Sequence, residues 1–371
     1  MSTLLAQRIK GEAVRLGFDR VGIAPAEPGP HSAFLDEWLA RGFHAEMGYL
    51  ARDPDTRKDP RRLFPGARSA VVCTLGYYPG TEPACAGDPR RAVIARYARS
   101  RDYHYVVREK LAALLAFVRS EAGAEVEGSA YVDTAPLLER ELAAQAGVGQ
   151  FGKNTLLIAP GLGSYFFIGV LLLALPLPSD APASRNLCGA CTRCLNACPT
   201  GAIVAPYQLD ARRCLAYLTI ENRGAIPPEF RPALRNRVFG CDICQEVCPW
   251  NRRAPASRLD TLPTCDFPLL TDLLHLDQEE FARRFGHTPV SRAKCRGLRR
   301  TAAVALGNYP HPDSVSALAA ALSDPEPLVR AHAAWALGRV GLPQARQALE
   351  AALPGETDPA ARQEILAALS G

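Results

Sequence analysis

Eight of the twelve cysteines lie between Cys188 and Cys248, and their spacing restricts what this chain can fold around. The first run reads Cys188-x2-Cys191-x2-Cys194-x3-Cys198-Pro199. This is the bacterial ferredoxin spacing, in which the fourth cysteine serves the other of two clusters. The second run, Cys241-x2-Cys244-x3-Cys248-Pro249, is one cysteine short of a repeat, and Cys214 between the runs restores the count. The spacing therefore assigns Cys188, Cys191, Cys194 and Cys248 to one [4Fe-4S] cluster, and Cys198, Cys214, Cys241 and Cys244 to a second. Soft thiolate ligands suit such cores. Structural zinc asks for paired CxxC arms and disulfides for an oxidising compartment, so both fit less well.

At 371 residues the chain is long enough for two or three domains. An apolar fraction of 48% with 22% charged residues is the balance of an ordinary soluble globular protein. Residues 1–10 hold no apolar core behind a basic end, so no export signal is expected. The longest apolar run, 165–177, is interrupted by Pro176, is too short to span a bilayer and reads as a buried strand. The expectation is a cytoplasmic protein without a membrane partner, its cysteines serving as ligands or free thiols. Cys73, Cys85, Cys265 and Cys295 lie outside the cluster spacing and read as structural. Net charge is only +5, but residues 281–300 carry Arg283, Arg284, Arg292, Lys294, Arg296, Arg299 and Arg300 with no acid among them. That stretch suits an anionic partner, or is simply a solvated face.

Helical and strand patterns alternate over residues 1–180. Leu5, Ile9, Ala13 and Leu16 recur at helical spacing behind Ser2, and Phe34, Leu35, Trp38 and Leu39 mark a second amphipathic helix. Strand-like runs fall at 20–23, 69–74, 92–94, 155–158 and 165–172. Such alternation predicts an α/β or α+β domain with helices packed on a sheet. Asp133 and Thr134 precede Pro136 and Glu139, which are start signals for a helix over 136–146. A proline-rich linker, 176–184, leads into a ferredoxin-type domain at 181–260.

From about residue 275 to 371 the pattern is helical and repeats. Residues 302–307, Ala-Ala-Val-Ala-Leu-Gly, recur as Ala-Ala-Trp-Ala-Leu-Gly at 333–338. The turn at Asp324-Pro325 is echoed at Asp358-Pro359. This is the signature of HEAT-like stacked helical pairs, too few to stand alone. Elsewhere, Gly161-Leu162-Gly163 lacks the rest of a dinucleotide fingerprint, and no phosphate-binding GxxxxGK[ST] loop, HExxH or CxxCH is present. His104 reads as a structural or supporting residue.

Longer blocks surround the cysteines: 214–221, Cys-Leu-Ala-Tyr-Leu-Thr-Ile-Glu, and 240–251, Gly-Cys-Asp-Ile-Cys-Gln-Glu-Val-Cys-Pro-Trp-Asn. Upstream lie Asp59-Pro60, Arg96-Tyr97-Ala98-Arg99, Arg101-Asp102-Tyr103-His104, Val132-Asp133-Thr134-Ala135-Pro136, Gly152-Lys153-Asn154-Thr155 and Gly163-Ser164-Tyr165-Phe166-Phe167-Ile168-Gly169. Together, across essentially the whole chain, these resemble the epoxyqueuosine reductases, cobalamin-dependent oxidoreductases of the last step of queuosine synthesis in tRNA.

The resemblance implies a base-off cobalamin over an N-terminal domain similar to the corrinoid domain of reductive dehalogenases. Two [4Fe-4S] clusters, fed by an external low-potential donor, would generate cob(I)alamin, which removes the epoxide oxygen of epoxyqueuosine in the anticodon loop of its tRNA. It implies Asp133 as proton donor, with burial expected to hold its carboxyl protonated; a helix N-cap is the plainer reading of the same residue. Arg57, Tyr97, Lys153, Asn154 and Ser164 fall in the segments that the family uses to contact the corrin. Ala216 and Val170 depart from the family's usual serine and acid, which touches cofactor contacts rather than cluster ligands. Arg231, Arg235, Arg237 and the stretch 281–300 are candidates for the tRNA backbone, and the chain is expected to act as a monomer. The competing expectations are a corrinoid enzyme acting on a small organohalide and a ferredoxin-type carrier on a helical platform. A carrier would not need the first 180 residues, and those dehalogenases carry export leaders.

Overall fold

The computed structural model describes residues 2–82, 84–183, 186–257, 259 and 267–370, so Cys265 and Ser184 lie outside the described residues. The chain divides into two compact units, each assembled from separate stretches. The first comprises residues 1–80, 102–212 and 243–260, and the second residues 81–101, 213–242 and 261–371.

The first unit is built on a four-stranded sheet in the order Arg20–Pro25, Ser69–Gly76, Phe166–Leu173, Gly128–Tyr131. Every neighbouring pair is antiparallel, which makes this unit α+β. Strand Ser69–Gly76 is buried along its whole length because both faces are covered. On one face Ala70, Val72, Val170 and Leu172 pack with Leu142 and Ala143 of helix Glu139–Gln145. On the other lies helix Tyr103–Ala122, with helix Ser2–Arg15 against it. Its fully buried Leu111, Leu114 and Val118 each contribute about 1.5–3 kcal/mol on leaving water. A Cβ at Gly169 would come within 2.6 Å of Val107, so the glycine lets this helix lie flush on the sheet.

Four of the five expected strands, those at 20–23, 69–74, 92–94 and 165–172, form close to their sequence positions. Strand Gly128–Tyr131 was not legible, because Gly-Ser-Ala-Tyr has neither β-branched residues nor clear alternation; it exists through main-chain pairing with Phe166–Leu173. The run at 155–158 contracts to Leu157–Ile158, paired with Gln150–Phe151. The described part of the expected linker is pinned rather than loose. Asp180 accepts from the Ile23 N–H and donates its own N–H to the Ile23 carbonyl, each at 2.8 Å.

The second unit stacks helices Lys294–Asn308, Pro312–Ala321, Pro327–Val340, Pro343–Ala352 and Pro359–Ser370. The repeated glycines mark the crossings: a Cβ on Gly307 would lie 2.8 Å from Ala336 Cα, and one on Gly338 would lie 3.0 Å from Ala368 Cα. The echoed turn residues do equivalent work, Asp324 accepting from the Glu326 N–H and Asp358 from the Ala360 N–H. Residues 81–101 add Ala92, Ile94 and Ala98 to this core, and strand Val93–Ile94 pairs in parallel with Arg237–Phe239. Among the described residues no helix is long and apolar enough to cross a membrane.

Candidate active site and cluster ligands

Asp133 sits just beyond the edge strand Gly128–Tyr131, in a left-handed conformation with φ +57°. The expected N-cap role is not what the structure contains. The helix starts at Glu139 rather than 136, and its cap position, Leu138, makes no side-chain cap bond. Residues 132–137 are taken up by tight turns, with Thr134 N–H donating to the Val132 carbonyl at 2.6 Å and Leu137 N–H to Ala135 at 2.8 Å. The capping bond runs the other way: Glu139 Oε1 accepts from the Asp133 N–H at 2.6 Å.

The Asp133 carboxylate is gripped from one side by the first turn of helix Tyr103–Ala122. The Tyr103 hydroxyl donates to Oδ2 at 2.9 Å, and His104 Nε2 lies 3.4 Å from the same oxygen. The Tyr103 ring is fixed by stacking on Phe167, with centroids 4.1 Å apart and planes 4° apart. His104 Nδ1 lies 2.6 Å from Asp102 Oδ1, and Asp102 also caps the helix by accepting from the His104 N–H. Between two carboxylates, both ring nitrogens have only acceptors to face, the arrangement an imidazolium satisfies.

Charge follows from these contacts. Desolvation pushes the Asp133 carboxyl up, but hydrogen bonds from His104 and Tyr103, with the charges of His104 and Arg140, outweigh it, and the net direction is down. The sequence reading expected burial to win and keep the proton on Asp133. It loses because the side chain, although crowded by neighbours, is still 63% exposed and has two donors within reach. Burial disfavours the His104 imidazolium, yet Asp102 and Asp133 more than offset this and raise it to about 9. Burial and the neighbouring Asp133 charge push Glu139 up to about 8.

The residues expected at the corrin are distributed as follows. Arg57 is half-buried, and burial pulls its guanidinium down while the carboxylates of Asp133 and Glu139 act on it favourably. Its Nε is shut off from water without an acceptor. Lys153 reaches the first cysteine run instead: Nζ donates to the Gly189 and Cys191 carbonyls at 2.7 and 3.0 Å. Asn154 is buried, and its Oδ1 accepts from the Leu156 N–H. Ser164 is also buried; its N–H donates to Asn251 Oδ1 at 2.7 Å and its hydroxyl accepts from Asn251 Nδ2 at 2.9 Å. Tyr97 belongs to the second unit, where it packs on Phe239.

Cys188, Cys191, Cys194 and Cys248 all belong to the first unit. Their thiols are near enough to oppose one another's ionisation: Cys188 and Cys248 act on Cys194, and Cys188 and Cys191 on Cys248. Helices Arg193–Ala197 and Ile243–Glu246, from the two cysteine runs, pack together. Trp250 ties the second run to the first by donating to the Leu187 carbonyl at 2.9 Å. Main-chain donors already point at sulfur, Lys153 N–H at Cys188 Sγ and Ala202 N–H at Cys198 Sγ, as a thiolate-bound cluster requires. Among the described residues no three His, Cys, Asp or Glu side chains converge on a single ion. A four-iron cube does not need that, because each thiolate takes a different iron. Cys198 and Cys244 belong to the first unit, Cys214 and Cys241 to the second. Of the cysteines read as structural, Cys73 and Cys295 are buried, and burial pushes both thiols up.

Several arginines suggested for tRNA are otherwise engaged. Arg231 is buried on Glu364 and the Ile226 carbonyl, and Arg300 is buried on the carbonyls of Leu218, Asn222 and Gly224. Arg283 pairs with Glu280, Arg292 with Glu221 and Arg299 with Asp324, so the run that looked free of acid is supplied with acid from other segments. Arg235 and Lys294 stay exposed. The sequence reading missed Tyr103 and Glu139 as partners of Asp133; the Arg101-Asp102-Tyr103-His104 block was the signal for the first, while Glu139 looked like a capping residue.

Residues 57–134 match the family described as epoxyqueuosine reductase QueG, DUF1730; residues 187–251 match a 4Fe-4S double cluster binding domain and residues 290–370 match HEAT repeats. An epoxyqueuosine reductase of Pseudomonas aeruginosa is 45% identical over 343 residues, covering 91% of this chain and 95% of that one. A solved epoxyqueuosine reductase bound to an epoxyqueuosine-modified tRNA-Tyr stem loop is 33% identical with a TM-score of 0.93, over 99% of this chain and 98% of that one. One from Bacillus subtilis, described with its catalytic aspartate loop swung out of the active site, has a TM-score of 0.91 at 33% identity over the same shares. With identity sustained over nine-tenths of both chains, this chain belongs to the epoxyqueuosine reductase family.

Proposed function

We propose that this chain reduces the epoxide of epoxyqueuosine, at the wobble position of tRNA, to the cyclopentene of queuosine. Two carbon–oxygen bonds break, two electrons and two protons enter, and water leaves. The observation that supports the reading is Asp133, an accessible carboxylate held beside a sheet edge by Tyr103 and His104 and a group of the kind that relays a proton to a departing oxygen. The seven cysteines of the two runs, with Cys214 as the eighth, would hold two [4Fe-4S] clusters, which pass single electrons from an external low-potential donor.

Cobalamin, bound base-off, would supply the electron-rich metal that attack on a strained C–O bond requires. The orphaned Nε of Arg57 fits such a group, because amide carbonyls or a phosphate would provide its missing acceptor. Tyr97, Lys153, Asn154 and Ser164 remain candidates by resemblance, but in this chain Lys153, Asn154 and Ser164 already hold loops in place. Domain limits of 1–180 for the catalytic domain, 181–260 for the cluster domain and 275–371 for the repeats accompany this reading. The substrate base must leave its stack to be reached, as in single-stranded RNA readout, and binding should weaken with salt. Action as a monomer in the cytoplasm completes it.

The test is anaerobic incubation of the chain with an epoxyqueuosine-containing anticodon stem loop and a chemical reductant, with and without cobalamin, followed by nucleoside mass analysis. Queuosine should form only with cobalamin, on protein carrying roughly eight irons, two cubes of four. Failure to form queuosine in fully loaded protein overturns the reading.

A further inference from the structure

We propose that Asp102 and His104 form a proton feed that recharges Asp133 within each turnover. The inference rests on the function proposed above. Releasing the epoxide oxygen as water makes two O–H bonds, and Asp133 is ionised at rest, so it must take up a proton before each one it delivers. The geometry supplies the refill. His104 Nε2 is buried and faces Asp133 Oδ2 at 3.4 Å, a long ion-pair contact rather than a tight hydrogen bond. Its Nδ1 is anchored 2.6 Å from Asp102 Oδ1, and Asp102 is itself fixed by accepting the His104 N–H at 3.0 Å. Tyr103 stacks on His104 at 4.2 Å and on Phe167 at 4.1 Å, which holds the imidazole plane.

In the transfer the Nε2–H bond breaks and an Oδ2–H bond forms on Asp133. The imidazole is left neutral, Asp102 stays a carboxylate throughout, and His104 regains its proton from water. At rest the proton stays on the imidazole, raised to about 9, while the Asp133 carboxyl is lowered, so the transfer runs uphill and is drawn forward only as Asp133 passes its proton to the departing oxygen. The charged and titratable groups around the pair are Asp102, Tyr103, Glu139 and Arg140, with Arg57 acting on Asp133. A purely structural dyad, capping a helix, would have no reason to aim the second ring nitrogen at Asp133. His104 is therefore a positioning and proton-supplying residue that acts through Asp133.

The test compares wild type with His104→Gln, which keeps size and hydrogen-bonding capacity but not a titrating proton, and with Asp102→Asn. Conversion of the stem loop by cobalamin-loaded, reduced protein is followed across pH, and the His104 ring is titrated by NMR in the cofactor-free chain. Wild-type kcat should fall as pH rises through about 9. His104→Gln should lower kcat on the order of 10–100-fold with KM little changed and abolish that limb. Asp102→Asn should move both the limb and the ring titration to lower pH. An unchanged kcat in His104→Gln, a loss equal at every pH with the limb retained, or a ring titration indifferent to Asp102→Asn overturns the feed. Absence of queuosine from wild type would instead sink the proposed function, and the NMR titration would still judge the coupling.

Discussion

Glu139 Oε1 accepts the main-chain N–H of Asp133 at 2.6 Å and thereby holds an aspartate at φ +57°. A left-handed residue with a side chain costs about 1–2 kcal/mol, so the turn persists only while something over-determines it. Glu139→Ala removes the acceptor and should lower turnover roughly tenfold or more, with a stability loss of only about 1 kcal/mol. Glu139→Gln keeps the acceptor and should remain near wild type. Amide exchange at Asp133 decides the matter: it should quicken in the alanine variant alone, and equal exchange in all three proteins would remove the clamp.

Asp133→Asn is expected to separate chemistry from assembly. The amide can still accept from Tyr103, so the turn and the loading of clusters and cobalamin should survive. Turnover should fall by about 10²-fold or more, the usual contribution of a positioned acid. Iron content, the cobalamin spectrum and nucleoside analysis on one preparation provide the check; normal turnover would take the proton away from this residue.

The crossed assignment of the cysteines makes a non-additive expectation. Cys188 and Cys248 are sixty residues apart but assigned to one cluster, so the double serine variant should lose about four irons, no more than either single variant. Cys188→Ser with Cys244→Ser spans both sets and should lose about eight. Iron analysis after anaerobic reconstitution distinguishes the two; the reverse pattern would reassign the ligands.

These expectations divide along the line between what local sequence encodes and what packing decides. The cysteine spacing, the repeat at 302–307 and 333–338 and the long apolar strands were legible because each is a local pattern with its own period. Strand Gly128–Tyr131 was not, since its pairing partner lies about forty residues away and its side chains carry no signal. Asp133 stood out as a candidate residue, yet its surroundings did not: Tyr103, His104 and Glu139 come from two different helices and meet only in the fold. The basic run at 281–300 misled for the same reason, its acids arriving from residues 221 and 324.

His332 gives the second unit a pH dependence. Its Nε2 accepts from the Ile226 N–H at 3.1 Å and its Nδ1 lies 2.7 Å from the Leu328 carbonyl, so the neutral ring is fully used. Burial, then the nearby Arg231 and Arg300 charges, pull it down to about 3. An unfolded histidine titrates near pH ~6.5, so the stabilising contribution is present above that value and is lost as pH falls towards 3. Near pH ~5 the loss should approach about 2 kcal/mol. Denaturant melts of wild type and His332→Gln across this window provide the measurement, and the variant should show a flatter dependence. A parallel dependence in both would place the sensitivity elsewhere.

Two glycines in helix Lys294–Asn308 should respond oppositely to alanine. At Gly307 a Cβ would lie 2.7 Å from Trp335 Cζ3 and 2.8 Å from Ala336 Cα, and the second of these is backbone that cannot swing aside. Overpacking of this kind costs about 1–3 kcal/mol, more than the roughly 1 kcal/mol that alanine gains in helix propensity. At Gly297 the nearest atom would be Ala293 Cβ at 3.9 Å, an ordinary contact, so propensity alone decides and stability should rise by about 0.5–1 kcal/mol. Thermal melts of the two variants should move in opposite directions from wild type. If both rise, the helix crossing at Gly307 is looser than the packing of Gly307 on Ala336 requires, and the repeat glycine is not there to admit its neighbour.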